Sequence, residues 1–348
     1  MDENFENWEQ NAPLPDVEAE LKRIRRDIRK RNWKIILTSL VLAAALLIGA
    51  VKFAIPALES RYWDPYTSTY IEEVPDLELT MIVYGKLFGQ GQLPVNVSIT
   101  KTGFAAYSIE TGFMKSDKLY GFSWDGSRTA TLSKGELSFP SNFWESFERY
   151  VFDFTQDEDY KYSKDVIRLA TKKLKRLPDY AQVLAIVSVS EDLPLSELME
   201  LEQDLMSSDY ESGVLWAALR TRDPSSGTYP SCGVRVQFTG YQTTRYAELR
   251  GAQSPYPYLF ESSSSWTADT LEQHITSLLQ FSQDQCDKGT GILPEGAGSD
   301  YYQTALDYMS ENGINTYGCY VIATPAELLQ ILSDYPVYHI SLVDAWLV

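Results

Sequence analysis

One segment limits every other reading of this chain. Residues 35–55, IILTSLVLAAALLIGAVKFAI, run apolar for 21 positions with a single charge, Lys52. As a helix they rise about 31 Å, close to the ~30 Å hydrocarbon core of a bilayer. Twelve of the 21 are Leu, Ile, Val or Phe. Each of these favours the bilayer centre by roughly 0.3–0.6 kcal/mol, while Lys52 sits near an end and can snorkel. A buried core helix is one alternative, but core helices seldom run this long without a polar face. A cleaved secretory signal is the other, and it needs a short basic leader and a small-residue cleavage site. Here the leader exceeds thirty residues and starts acidic, and Ala54 and Ala57 make only a weak A-x-x-A pattern around Pro56. The sequence predicts an uncleaved, single transmembrane helix at 35–55 that leaves nearly three hundred residues beyond it.

The flanks set an orientation. Residues 22–34, KRIRRDIRKRNWK, hold eight Lys or Arg and one Asp, whereas only Lys52 and Arg61 lie close on the other side. The positive-inside rule places the N-terminus in the cytoplasm and the larger part outside the cell membrane. Trp33, Tyr62 and Trp63 suit the two interfaces, and Pro56 should end the regular helix. The first 34 residues carry eight acidic and eight basic side chains, so the whole net charge of −18 lies in the span and the outer part. That charge excludes nucleic acid as an outside partner. The three cysteines, Cys232, Cys286 and Cys319, form no disulfide framework, although one bridge is open to them in an oxidising exterior. The two histidines, His274 and His339, lie in no zinc signature. No metal and no cofactor is expected.

The short arm before the span divides in two. MDENFENWEQ is acidic and carries two isolated aromatics, Phe5 and Trp8. Pro13 and Pro15 then frame a helix start. Leu14, Val17, Leu21, Ile24 and Ile28 follow at spacings of three and four, an a/d heptad stripe. Early acids and late bases complement the helix dipole. An apolar seam with nothing else in the arm to pack on calls for a partner, either a second copy of the chain in a parallel dimer or a different cytoplasmic protein. The alternative is a juxtamembrane helix laid on lipid, its bases touching anionic headgroups. Phe5 and Trp8 favour a partner, because aromatics in a short acidic segment anchor binding-coupled ordering. The candidate partner-binding residues are therefore Phe5, Trp8, Leu14, Val17, Leu21, Ile24 and Ile28.

Beyond the span, residues 56–76 read as a linker punctuated by Pro65 and Pro75. From 77 to about 160, LELTMIVYG, PVNVSIT, FAAYSI, YGFSW and TATLS are short, β-branched or aromatic, and separated by turn residues. They predict an antiparallel β-rich extracytoplasmic domain, with SNFWESFERYVFDF as a short helix on it. Asn96-Val97-Ser98 matches a glycosylation acceptor inside a strand. From 161 to 348, helices at 163–177, 195–206, 267–281 and 299–312 and one begun by Pro325 alternate with the strands QVLAIVSVS, GVLWAALR, GVRVQFT, TYGCYVIAT and VYHISLVDAWL. QVLAIVSVS is nearly all apolar, so it should be central. This half predicts an α/β domain, and the whole chain an α+β protein behind one membrane helix.

These residues resemble the membrane-anchored sigma-factor regulators, or anti-sigma factors, of Gram-positive Firmicutes. The basic-then-apolar anchor RKRNWKIILTSLVLAAALLIG and the following YWDPYTSTY carry the likeness at the front. LAIVSVSEDLPLSELMEL, GVLWAALR, YYQTALDYMSENG and YGCYVIATPAELLQILSDYPVYHISLVDAWL carry it over about 170 C-terminal residues. The resemblance implies transcription regulation: an arm that binds an extracytoplasmic-function sigma factor and keeps it from RNA polymerase, and an outer region that senses envelope stress. The arm departs from many such proteins in having no Cys or His, so their zinc-containing module is absent.

Two other functions compete. An envelope protein that binds cell-wall polymer or a surface partner would use the abundant outer Tyr and Trp for stacking. An enzyme would need a constellation the chain lacks. Acidic runs such as Asp157-Glu158-Asp159 and Glu191-Asp192 suit solvated turns, Glu197 and Glu200 suit the polar face of a helix, no G-x-S-x-G is present, and GKLFGQG lacks the P-loop ending.

Overall fold

The computed structural model describes residues 17–89, 92–116, 122–141, 143–144, 160–206, 212–224, 232–236, 246–249, 252, 254–260, 266–294 and 296–347. It separates into two compact units, Met1–Tyr62 and Trp63–Val348.

In the first unit, helix α1 runs unbroken over Val17–Gly49, so the arm's basic stretch and most of the apolar run form one rod. A π-helical turn at Ala50–Ala54 follows, then α2 at Ile55–Glu59, which holds Pro56 in its first turn. The helical stretch Glu18–Glu59 is long and apolar enough to cross a membrane, and its most apolar stretch buries no residue within the chain. It indicates a single-pass anchor. Pro56 does not end the helix, because a first-turn position needs no N–H donor there.

The second unit opens with α3, Asp76–Phe88, and continues into a four-stranded antiparallel meander. Its strands are β1 (Gln92–Gly103), β2 (Ala106–Ser116), β3 (Phe122–Ser133) and β4 (Glu136–Ser138), paired in that order. The segment LELTMIVYG, expected as the first strand, is helical. Every residue from Asp76 to Leu87 is buried, which erases the polar face that marks a surface helix and leaves a plain apolar run. Helical spacing explains the burial. Leu77, Met81 and Tyr84 enter the core beneath the meander, with Ile109, Phe113, Ala130, Leu132 and Phe143. Leu79, Ile82, Val83 and Leu87 enter a larger core built with the C-terminal half. Phe88 touches both. Gly85 admits Pro94 of β1 where a Cβ would collide with the proline ring.

The C-terminal half contains α4 (Tyr160–Leu174), β5 (Ala181–Pro194), α5 (Leu195–Met206), β6 (Gly213–Leu219), β7 (Gly233–Arg235), α6 (Ala268–Asp287), α7 (Tyr301–Asn312), β8 (Asn315–Ala323), α8 (Pro325–Asp334) and β9 (Val337–Leu347). The sheet order is β7-β6-β8-β5-β9. β5 is an interior strand, as its apolar run requires. Strands and helices alternate along the chain, yet every pairing in this sheet is antiparallel. The chain is thus mixed helix and sheet, an α+β protein. Local signals hold at several helix ends. Thr267 caps α6 through a reciprocal box with Thr270, Thr324 caps α8 in the same way with Glu327, and Gly313 leaves α7 at a φ of 76°. The helix expected to end at 281 continues to Asp287, and the chain then loops back. Its Ile292 fills the core under the meander, and the Ile292 carbonyl accepts a 2.6 Å bond from the Tyr302 hydroxyl. The helix expected in SNFWESFERYVFDF falls mostly outside the described residues.

Candidate functional site

Two stretches flank the apolar span, the arm before it and the segment that leads into the body after it. Phe5, Trp8 and Leu14 lie outside the described residues, and Val17 is described only as the residue that opens α1. Leu21, Ile24 and Ile28 sit on α1 with 47%, 53% and 53% of their surface exposed. At about 100° per residue they fall within a narrow arc of the helix. Glu18 and Glu20 stand in the first turn, and Glu18 meets Lys22 at 3.7 Å across one turn. Arg26, Arg29 and Lys30 lie around the far side of the helix. The arm is therefore an amphipathic rod with a thin apolar edge and a broad cationic back.

Past Trp63 the chain is fastened to the body within a few residues. Trp63 packs against the core under the meander. The Tyr66 hydroxyl donates to the Ile99 carbonyl of β1 at 3.0 Å, and its ring meets Tyr107 edge-on at 5.9 Å. Tyr70 turns to the other half, where its ring lies 5.4 Å from Phe281 and 5.7 Å from Tyr256. Its hydroxyl receives Gln285 Nε2 at 2.9 Å and Lys288 Nζ at 2.6 Å. The Tyr256 hydroxyl donates to Asp284 at 2.7 Å. Burial pushes the Tyr256 phenol well above its ordinary range, and the neighbouring Tyr70 and Asp284 add to this, so it stays a donor. Asp76 closes the strap at the start of α3, accepting from Thr69 N at 2.8 Å and Thr69 Oγ1 at 2.6 Å. Residues 56–76 read as a linker in sequence, and these contacts tie residues 63–76 to both halves of the body. The clue was available in YWDPYTSTY, whose aromatics recur at spacings that fit packing as well as they fit a membrane interface.

The buried charges of the body serve structure. Glu78 accepts from the Tyr246 hydroxyl at 2.7 Å, Glu202 from Val214 N at 2.5 Å, and Lys86 lies 5.1 Å over the Phe260 ring. Asp192 holds Arg220 through two bonds of 2.6 and 2.7 Å. Burial raises the thiols of Cys232 and Cys319 to about 12 and that of Cys286 to about 11, which keeps all three protonated and unreactive near neutrality. Among the described residues no group of three His, Cys, Asp or Glu is placed to hold a metal ion.

The segment from the end of α4 to β9 is the one that other proteins share. Residues 174–342 match the model of the sigma factor regulator C-terminal family. The match covers just under half of the 348 residues and takes in β5 to β8, α5 to α8 and the first half of β9. It supports a sigma-factor regulatory role with a sigma factor as partner. The family is regulatory rather than enzymatic, in keeping with a body whose buried charges hold secondary structure together. No curated protein and no solved structure matches the chain.

Proposed function

We propose that this protein is a membrane-anchored anti-sigma regulator. The N-terminal arm lies in the cytoplasm and binds an extracytoplasmic-function sigma factor through Phe5, Trp8, Leu14, Val17, Leu21, Ile24 and Ile28. The body lies outside, as a β-rich domain at 77–160 and a regulator domain at 161–348, and senses the state of the envelope. The family match over residues 174–342 carries this reading. The exposed edge of Leu21, Ile24 and Ile28 supports it, since apolar side chains half open to water on a charged helix gain by being covered. The eight Lys and Arg of residues 22–34 support the orientation. Replacing the chain in its host by a Trp8→Ala, Leu21→Asp variant should raise transcription from one sigma-dependent set of promoters at unchanged membrane abundance. Unaltered transcription in that variant removes these residues from the interface.

A second reading has its own observation. On the outer face of the meander, Trp124 is 59% exposed and lies over Gly112, where a Cβ would meet its ring. Ser98, Glu110 and Thr129, and beyond them Thr100 and Thr131, lie in successive rows of the same open face. A flat indole among hydroxyls fits stacking against a sugar ring, so the body can bind cell-wall polymer. Trp124→Ala should abolish retention of the chain on purified wall if this is its function, and should leave the promoters silent.

A further inference from the structure

The edge of α1 that bears Leu21, Ile24 and Ile28 does not stop at the arm. With Leu21 and Ile28 at a and Ile24 at d, the same register runs through Ile35, Thr38, Leu42, Ala45 and Gly49, and Arg31 alone breaks it. All these residues belong to one unbroken helix, so the arm and membrane portions of the stripe sit on one rod. The π turn begins at Ala50, where the register ends. A heptad stripe drifts about 20° per heptad on a straight helix, and a left-handed supercoil of two helices removes that drift. In the lower half, Ala45 and Gly49 are small enough to let two backbones approach, and nothing lies near a Cβ built on Gly49.

The flanking charges choose the occupant. Glu20 stands at g and Arg25 at the following e. In a parallel pair of identical helices, g of one faces the next e of the other, so Glu20 meets Arg25 twice across the two-fold axis. Lys22, Arg23, Arg26, Arg29 and Lys30 all fall at b, c or f, clear of the seam, and Arg31, at d, is the one base on it. Two copies inserted in the same direction can only meet in parallel. We infer that α1 pairs with α1 of a second copy of this chain, along a seam from Leu21 to Gly49. This rests in part on the sigma-factor reading, because Leu21, Ile24 and Ile28 cannot face both partners at once. A sigma factor then opens the arm half of the seam while Leu42, Ala45 and Gly49 hold the two copies together.

The test uses the full chain in native membranes. Leu42→Cys and Ala45→Cys lie on the seam, and Leu40→Cys and Leu47→Cys lie at f, opposite it. Under a membrane-soluble oxidant the first two should give cross-linked dimer at least about fivefold above the second two and above the unsubstituted chain, which corrects for Cys232, Cys286 and Cys319. Equal yields at all four positions, or higher yields at 40 and 47, overturn the seam. For the arm, Glu20→Lys should lower cross-linking at Leu21→Cys, and adding Arg25→Glu should restore it. Loss without restoration refutes the charge pairing. Silent promoters in the Trp8→Ala, Leu21→Asp variant with intact cross-linking at 42 and 45 would count against the sigma-factor interface alone. Regulated promoters with no cross-linking would count against the dimer alone.

Discussion

Asp76 joins the strap to the helix shared by both cores, and its removal gives a calculable loss. Its carboxylate is 7% exposed and accepts two bonds from Thr69, at 2.8 and 2.6 Å. It also stands in the first turn of α3, where a negative charge is favoured by the helix dipole. A hydrogen bond to a charged group contributes about 1.5–3 kcal/mol. Thr69 is exposed, so water replaces part of what its donors lose, and the lower end of the range applies to each bond. Asp76→Ala should therefore cost about 3–4 kcal/mol, including the dipole contribution. For a unit spanning Trp63–Val348, with about 2.1 cal/mol/K of unfolding entropy per residue, that lowers Tm by roughly 5–7 °C. Asp76→Asn keeps an acceptor and should lose about half as much. The assay is thermal unfolding of the full chain in detergent, followed by tryptophan fluorescence, with limited proteolysis to locate the first cuts. In the Ala variant, cleavage should begin within residues 64–74, before any cut in the meander. A Tm change below about 2 °C, or first cuts elsewhere, means that Asp76 does not hold the strap.

Further outcomes follow from the same contacts. Met81→Ala and Ile82→Ala each remove a fully buried side chain, one from each core that α3 serves; each should cost about 2–5 kcal/mol and lower one common transition, whereas a split melt would show that the two cores unfold separately. Alkylation at pH 8 should leave Cys232 and Cys319 unmodified in the native chain and reach Cys286 slowly, with all three reacting in denaturant; rapid native labelling of Cys319 contradicts its burial. Half-burial lowers the His339 pKa below its ordinary 6.5. The unfolded chain then binds the extra proton first, so stability should be greatest above about pH 6.5 and fall as pH drops through the folded value. His339→Gln should flatten that part of the stability–pH curve, and an unchanged slope would assign it to another group.

What could be read in advance divides along physical lines. The membrane span needs only length and apolarity, which are local properties. The interior place of β5 follows from Val183, Leu184, Ala185, Ile186 and Val187 in unbroken succession, and the starts of α6 and α8 from Thr267 and Thr324 with their partners three residues on. α3 was illegible for the opposite reason. Leu77, Met81 and Tyr84 serve one core while Leu79, Ile82 and Val83 serve another, so both stripes are present and their superposition hides each. Its signals were the acids Asp76 and Glu78 after Pro75 and the base Lys86 near the end, a dipole pattern that a strand does not need. The antiparallel sheet in the C-terminal half was hidden too, since alternation of strands and helices says nothing of direction until their contacts are known. Of the arm, the heptad spacing of Leu21, Ile24 and Ile28 was legible and reappears as an exposed edge, while Phe5, Trp8 and Leu14 fall outside the described residues.

The double allegiance of α3 has an evolutionary consequence. A recombination point placed between the meander and the C-terminal half would strand this helix with half its apolar surface in water. Swapping either half for an unrelated module therefore requires simultaneous repair of a helix that both depend on. Lineages carrying this protein should exchange the arm and the anchor far more freely than anything that lies after Pro75.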